Sequence, residues 1–285
     1  MKITSIFEKE EITVSFEVFP PKTTTNYEAV EKAALGVAAL KPSYMSVTYG
    51  AGGSTRGYTI KIAEKIQKEQ QVTTIAHLTC VGATKADIHA ALGQMKEAGI
   101  ENILALRGDR PKDFEGDPYV DYHHASELVE TIREYGDFCV GGACYPEGHP
   151  ESQTLEEDLI HLKEKVDAGC EFLTTQMFFD NNILYNFMYK ALKHGIDVPV
   201  VAGIMPITNA NQVKRSIALS RRFLAIVDRF GSDPAAMKQA GIAYATDQII
   251  DLIANGVNHV HIYTMNKPDV AGAILENLSD IYVRD

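Results

Sequence analysis

An acidic residue inside an apolar run is the first feature that points to chemistry. Glu17 sits in the segment 13–18 (TVSFEV), between Phe16 and Val18, just ahead of Phe19-Pro20-Pro21. A carboxylate buried without a partner is costly as an ion and tends to keep its proton. Such a group is a candidate general acid near neutral pH. The other reading is an ion pair with an interior Lys or Arg. Asp109 closes the triplet Arg107-Gly108-Asp109 after another apolar run, as a second working carboxylate or as a loop residue capping a turn. His77, on an apolar run of its own, is either a satisfied core histidine or a ligand-facing one. His259 and His261 share one face of a run and would suit a metal, but no acidic partner lies near them in sequence, so no metal ligand is assigned. Asp158, His161 and Lys165 form a polar stripe at i, i+3 and i+7, beside the apolar stripe Leu155, Leu159, Leu162 and Val166. That stripe is either a solvated face or the wall of a groove.

These residues need a scaffold, and the pattern predicts one. Short, nearly continuous apolar runs occur at 13–18, 44–48, 73–78, 102–106, 138–143, 172–177, 199–204 and 258–263. They read as strands buried on both faces. Helical periodicity fills the gaps, as with Tyr27, Val30, Ala34 and Val37. Gly99, Gly136, Gly169, Gly195 and Gly256 stand where helices should stop. Between Ile204 and Asn258 there is room for two helices, the second starting at Asp233-Pro234. Alternating strands and helices of this length predict an α/β fold, a (β/α)8 TIM-type barrel. An open doubly wound sheet would want a GxGxxG turn after its first strand, and none is present. No linker, low-complexity tract or duplicated half interrupts residues 1–285, so one domain is expected.

In such a barrel the active site lies at the carboxyl ends of the strands. The polar groups of this chain gather there: Glu17; Thr48-Tyr49-Gly50-Ala51-Gly52-Gly53; His77; Arg107-Gly108-Asp109; Tyr145 to His149; Gln176; Pro206 and Asn209; and Tyr263-Thr264-Met265-Asn266. The amino-terminal strand ends carry ordinary turns.

The bulk properties exclude other classes. The chain has 285 residues, 45% of them hydrophobic, and a formal charge of -11. An acidic chain has no electrostatic reason to bind nucleic acid or an anionic membrane. The opening MKITSIFEKEE turns acidic before any apolar stretch, and no run of about 18 apolar residues follows. A cytoplasmic protein is expected. Cys80, Cys139, Cys144 and Cys170 form no CxxC pair and read as reduced core thiols.

Taken together, the motifs resemble one family. Ser15-Phe16-Glu17-Val18-Phe19-Pro20-Pro21 is similar to the SFEFFPP opening of methylenetetrahydrofolate reductases. Val47 to Arg56, Ala76-His77-Leu78-Thr79-Cys80, Leu106-Arg107-Gly108-Asp109, Tyr145 to Pro150, Thr175 to Asp180 and Gly203 to Ile207 continue the likeness in order. The resemblance is to the bacterial type, with the catalytic barrel only. It implies a barrel holding FAD non-covalently at the strand carboxyl ends without a Rossmann fingerprint. By that likeness Thr48, Tyr49, Ala51, His77, Arg107, Gly108, Asp109, Tyr145, His149, Asp158 and Lys165 would line the flavin. Gln176 and Gln212 match positions facing the folate. The implied reaction passes a hydride from a donor to FAD and on to 5,10-methylenetetrahydrofolate, giving 5-methyltetrahydrofolate for one-carbon metabolism and methionine supply. Glu17 would protonate the folate N10, and Asp109 would favour the cation that develops. Three positions depart from relatives. Ser216 stands where some carry a Phe, Lys267 near where relatives place an Arg that meets the folate glutamate, and His161 where an Asn is common. The Ser216 departure leaves two donors in view: NADH or NADPH directly, or a protein electron donor feeding a flavin-binding subunit. Relatives of this type imply a homo-oligomer.

Overall fold

The computed structural model describes residues 1–21, 26–49, 56–110, 116–209, 212 and 221–283. Ala51, its glycine neighbours and Ser216 lie outside the described residues. Eight parallel strands close into a barrel in sequence order: β1 (Thr13–Val18), β2 (Tyr44–Val47), β3 (Thr74–Thr79), β4 (Asn102–Leu106), β5 (Cys139–Cys144), β6 (Phe172–Thr175), β7 (Val200–Ile204) and β8 (His259–Tyr263). The expected barrel is therefore observed, with strand ends shifted by a residue or two. The largest shift is at β6, whose pairing with β7 reaches only Thr174↔Val201. There the Gln176 side chain accepts from the Met177 backbone N–H at 3.0 Å and the chain turns away.

Helices pack outside the strands: α2 (Tyr27–Ala38), α3 (Arg56–Lys65, continued by a π-turn over Ile66–Gln70), α4 (Lys85–Glu97), α5 (Ala125–Tyr135), α6 (Leu155–Asp167), α7 (Asn181–Lys193), α8 (Arg221–Phe230), α9 (Pro234–Ala254) and α10 (Pro268–Asn277). Among the described residues, α8 and α9 lie between β7 and β8. Helix α9 begins where the sequence implied a helix start, with Asp233 Oδ1 accepting from the N–H groups of Ala235 and Ala236 at 2.9 and 3.1 Å, and Pro234 in the first turn. Outward-facing strand residues such as Val14, Phe16, Val47, Ala76 and Ile262 form the main core against these helices.

A short helix that the pattern did not foresee, α1 (Ile3–Lys9), closes the amino-terminal mouth of the barrel. Ile3 and Ile6 bury against Tyr44, Ile75, Leu104, Cys139, Phe172 and Val201, the inward residues near the strand starts. Phe7 stacks on His259 at 4.2 Å. Asn102 Oδ1 accepts from the Ile3 N–H at 2.9 Å and ties the plug to β4. With one end sealed, solvent and ligand reach the interior from the carboxyl ends.

Register decides which groups meet inside. Ser15 lies opposite His261 and Glu17 opposite Tyr263 on one flank. On the other flank Glu17 lies opposite Ser46. Because side chains alternate along a strand, Ser15, Glu17, His261 and Tyr263 share the inner face.

Candidate active site

A cavity of about 640 Å³ opens at the carboxyl ends of the strands. Its wall includes Glu17, Thr48, Tyr49, His77, Arg107, Gly108, Asp109, Tyr145, His149, Asp158, Lys165 and Gln176, which the sequence had placed on several separate strands and one helix. Gln212 and Lys267 do not line it. They meet at Thr208, where the Lys267 ammonium donates to Oγ1 at 3.0 Å and Gln212 Oε1 accepts from the Thr208 N–H at 2.9 Å.

At the inner end, the Glu17 carboxylate lies 3.7 Å from His77 Nε2 and 3.8 Å from His261 Nε2. The expected alternative of an ion pair with Lys or Arg is replaced by two imidazoles. Burial pushes His77 down to about 4, against the opposing pull of Glu17. The imidazole is therefore uncharged at neutral pH, and its approach to Glu17 is not an ion pair. His261 is held from both sides, with Nδ1 2.7 Å from Ser15 Oγ and Nε2 3.3 Å from Ser46 Oγ. Ser15 Oγ donates to the Val260 carbonyl at 3.1 Å, so it accepts from His261 Nδ1–H. His259 serves a different layer, bonded to Thr13 Oγ1 at 3.0 Å beside the plug. Among the described residues no group of three or more His, Cys, Asp or Glu side chains gathers to hold a metal.

Tyr263 crosses the mouth and donates to the Thr175 carbonyl at 2.6 Å. That crossing needs Gly203, because a Cβ there would stand 2.3 Å from the Thr175 carbonyl oxygen and 2.6 Å from the Tyr263 hydroxyl. Gly108 is required for a related reason: its φ is +87° and a Cβ would meet Val81 at 2.5 Å. It lets the chain fold back so that Arg107 and Asp109 both face the cavity. Arg107 donates to Glu151 at 2.6 Å and lies 4.8 Å over the Tyr119 ring. The hydrogen bond from Arg107 holds the Glu151 carboxyl below its usual range. Asp109 is exposed at the rim.

The polar stripe of α6 is a groove wall at Asp158 and Lys165. Thr154 caps the helix by accepting from the Glu157 N–H at 3.1 Å, which sets its first turn against the cavity. Lys165 donates to the Ala143 carbonyl at 2.7 Å, and burial lowers its pKa. Burial raises that of Asp158. Tyr145 and His149 pack edge to face at 4.6 Å.

Sequence reasoning missed the wall residue His124. His124 precedes α5, away from any strand end, and nothing in its local sequence marks it. Its ring is near parallel to that of His161, with centroids 6.1 Å apart. Behind the wall, Ser15 and Ser46, which hold His261, were also missed, though each lies two residues from an inward group and the period of a strand is two.

The wall suits the FAD that the resemblance implies. The volume falls within the range of cofactor sites. His77 Nε2 and Thr79 Oγ1 are buried polar atoms without a hydrogen-bond partner among the described residues. Such atoms cost about 1–3 kcal/mol each unless a ligand meets them. Arg107 and Lys165 offer positive charge to a diphosphate.

Comparison with known proteins identifies the family. The family described as Methylenetetrahydrofolate reductase matches residues 2–279. A 5,10-methylenetetrahydrofolate reductase of Pectobacterium carotovorum subsp. carotovorum is 35% identical over 272 residues, covering 94% of this chain and 90% of its own. That of Escherichia coli (strain K12) is 34% identical, with 94% and 91% covered. Methylenetetrahydrofolate reductase (NADH) 1 of Arabidopsis thaliana is 35% identical, but this chain spans only 50% of its length. Among solved structures, a Clostridium thermocellum protein that binds two copies of 5-methyl-5,6,7,8-tetrahydrofolic acid matches with a TM-score of 0.60 at 12% identity over 99% of both chains, a likeness of fold.

Proposed function

Because this chain belongs to the methylenetetrahydrofolate reductase family, we propose that it reduces 5,10-methylenetetrahydrofolate to 5-methyltetrahydrofolate using FAD. The observation that carries this reading is the placing of Glu17. Its carboxyl faces the cavity at the strand carboxyl ends, next to an imidazole that burial keeps uncharged.

FAD, when bound, supplies the hydride that the folate methylene carbon accepts. Thr48, Tyr49, Ala51, His77, Arg107, Gly108, Asp109, Tyr145, His149, Asp158 and Lys165 are the residues that would hold it. Glu17 gives a proton to the folate N10, which opens the five-membered ring and leaves positive charge on the N5 side. Asp109 stabilises that charge from the rim. Gln176, with one acceptor and two donors, orients the pterin edge. Gln212 and Lys267, joined through Thr208, receive the outer part of the folate. Lys267 gives that end one positive charge without the two-pronged geometry of Arg.

The test begins with the purified protein and its visible spectrum. A flavin spectrum is expected, bleached by NADH or NADPH, and the reverse reaction is expected with 5-methyltetrahydrofolate and an artificial acceptor. Activity with the artificial acceptor alone would assign electron input to a protein donor. Glu17→Gln should leave flavin reduction by the donor intact and cut folate turnover by about 10²–10⁴-fold. Near-native folate turnover in that variant would remove Glu17 from the mechanism.

A further inference from the structure

A carboxylic acid that gives its proton to folate must recover one before the next turnover. The strands around Glu17 offer two bases, and both approach the same oxygen. Oε2 lies 3.7 Å from His77 Nε2 and 3.8 Å from His261 Nε2. We propose that His261 is a positioning residue that recharges Glu17: its imidazole takes a proton from water once Glu17 has given its own away, and passes it to the carboxylate. The proposal rests on the acid role of Glu17 given above and adds the group that restores it.

Three observations single out His261. First, its surroundings suit either charge state. Nδ1–H donates to Ser15 Oγ at 2.7 Å, and Ser46 Oγ lies 3.3 Å from Nε2. A hydroxyl both donates and accepts, so Ser46 satisfies a bare Nε2 and a protonated one alike. Second, His77 is barred from the task. Burial holds it down to about 4, and its Nε2 has no hydrogen-bond partner among the described residues. Third, the other titratable groups packed on the His261 ring keep their protons. Tyr44 of β2 stacks on it at 6.5 Å, Tyr263 of β8 meets it edge to face at 5.4 Å, and burial raises both phenols. Among these groups, exchange near neutral pH is confined to Glu17 and His261. The step balances. Glu17 loses its proton as the bond from N10 to the methylene carbon breaks. The carboxylate left behind favours a proton on Nε2. Water supplies that proton when the product leaves, and it moves on to Oε2. Transfer across a gap of this size runs through one water or follows a small turn of the carboxyl group.

The experiment follows the folate step of the flavin-reduced holoprotein from about pH 6 to about pH 9, through the range in which imidazole changes charge. Two groups that share one proton hold it to higher pH than either alone. In His261→Gln the rate should therefore fall off about one pH unit lower than in the native protein. A merely structural histidine would lower the rate equally at every pH. Ser46→Ala, the smaller change should His261→Gln not fold, removes the partner of the protonated Nε2 and should move the fall-off the same way by less. Nitrogen NMR of the flavin-free protein, labelled at histidine, gives a readout apart from activity. The His261 ring should take up its proton at lower pH in Glu17→Gln, because the anion that favours its charge is gone. A fall-off at the native pH in both His261→Gln and Ser46→Ala overturns the proposal. So does a His261 signal indifferent to Glu17→Gln. Folate turnover that survives Glu17→Gln overturns the acid role itself, and this inference with it.

Discussion

His77 offers a quantitative test of how dry the inner cavity is. Burial holds its imidazole near 4, against an ordinary value of 6.5. A histidine whose folded value is depressed must be protonated at a cost when the pH falls. Its neutral form suits the native state above about pH 6.5, and stability is lost as the pH falls toward 4. Integrating between pH 7 and pH 5 gives a loss of about 2 kcal/mol from this group. Replacing it by glutamine removes the titration and keeps a polar side chain of similar reach. Urea unfolding of the flavin-free protein, native and His77→Gln, at both pH values isolates the effect as a difference of differences. Other groups titrate alike in both proteins and cancel. The variant should lose about 2 kcal/mol less than the native protein on acidification. Equal losses would mean that His77 is not kept neutral by burial. Glu17 would then sit beside a second titrating imidazole, and the account of the inner cavity would fail.

Two further outcomes follow from the geometry. Asp109→Asn should slow the folate step by about tenfold or more, the effect of one lost charge near a developing cation, while FAD affinity measured by flavin fluorescence changes less. Equal loss of both would make Asp109 a cofactor-positioning residue only. Gly203→Ala puts a methyl group 2.3 Å from the Thr175 carbonyl oxygen, so it should destabilise by about 1–3 kcal/mol through overpacking. An unchanged melting temperature would show that the Tyr263–Thr175 crossing relaxes freely.

The barrel was legible in the sequence because buried parallel strands are short and apolar, and helices between them repeat every 3.6 residues. Glu17, Arg107, Asp109 and Gln176 were legible because they interrupt or end those strands, and strand ends in such a barrel converge. The plug α1 was not, since Ile3, Ile6 and Phe7 make only two turns of apolar spacing among Lys and Glu. Its burial depends on a hole that exists only when all the strands have closed. Gln212 and Lys267 were legible as polar positions, but their meeting at Thr208 was not, because 59 residues separate Thr208 from Lys267.

The sequence by itself determined the period of each segment, and with it the fold class and the end of the barrel that carries the polar groups. Periodicity is a local property, set by neighbours within a few residues along the chain. Only the tertiary structure decided what stands beside Glu17, that His124 and His161 face each other, and that Gly203 leaves space for Tyr263. Those contacts join residues far apart in the chain, and their distances depend on barrel closure and strand register, which no local spacing encodes.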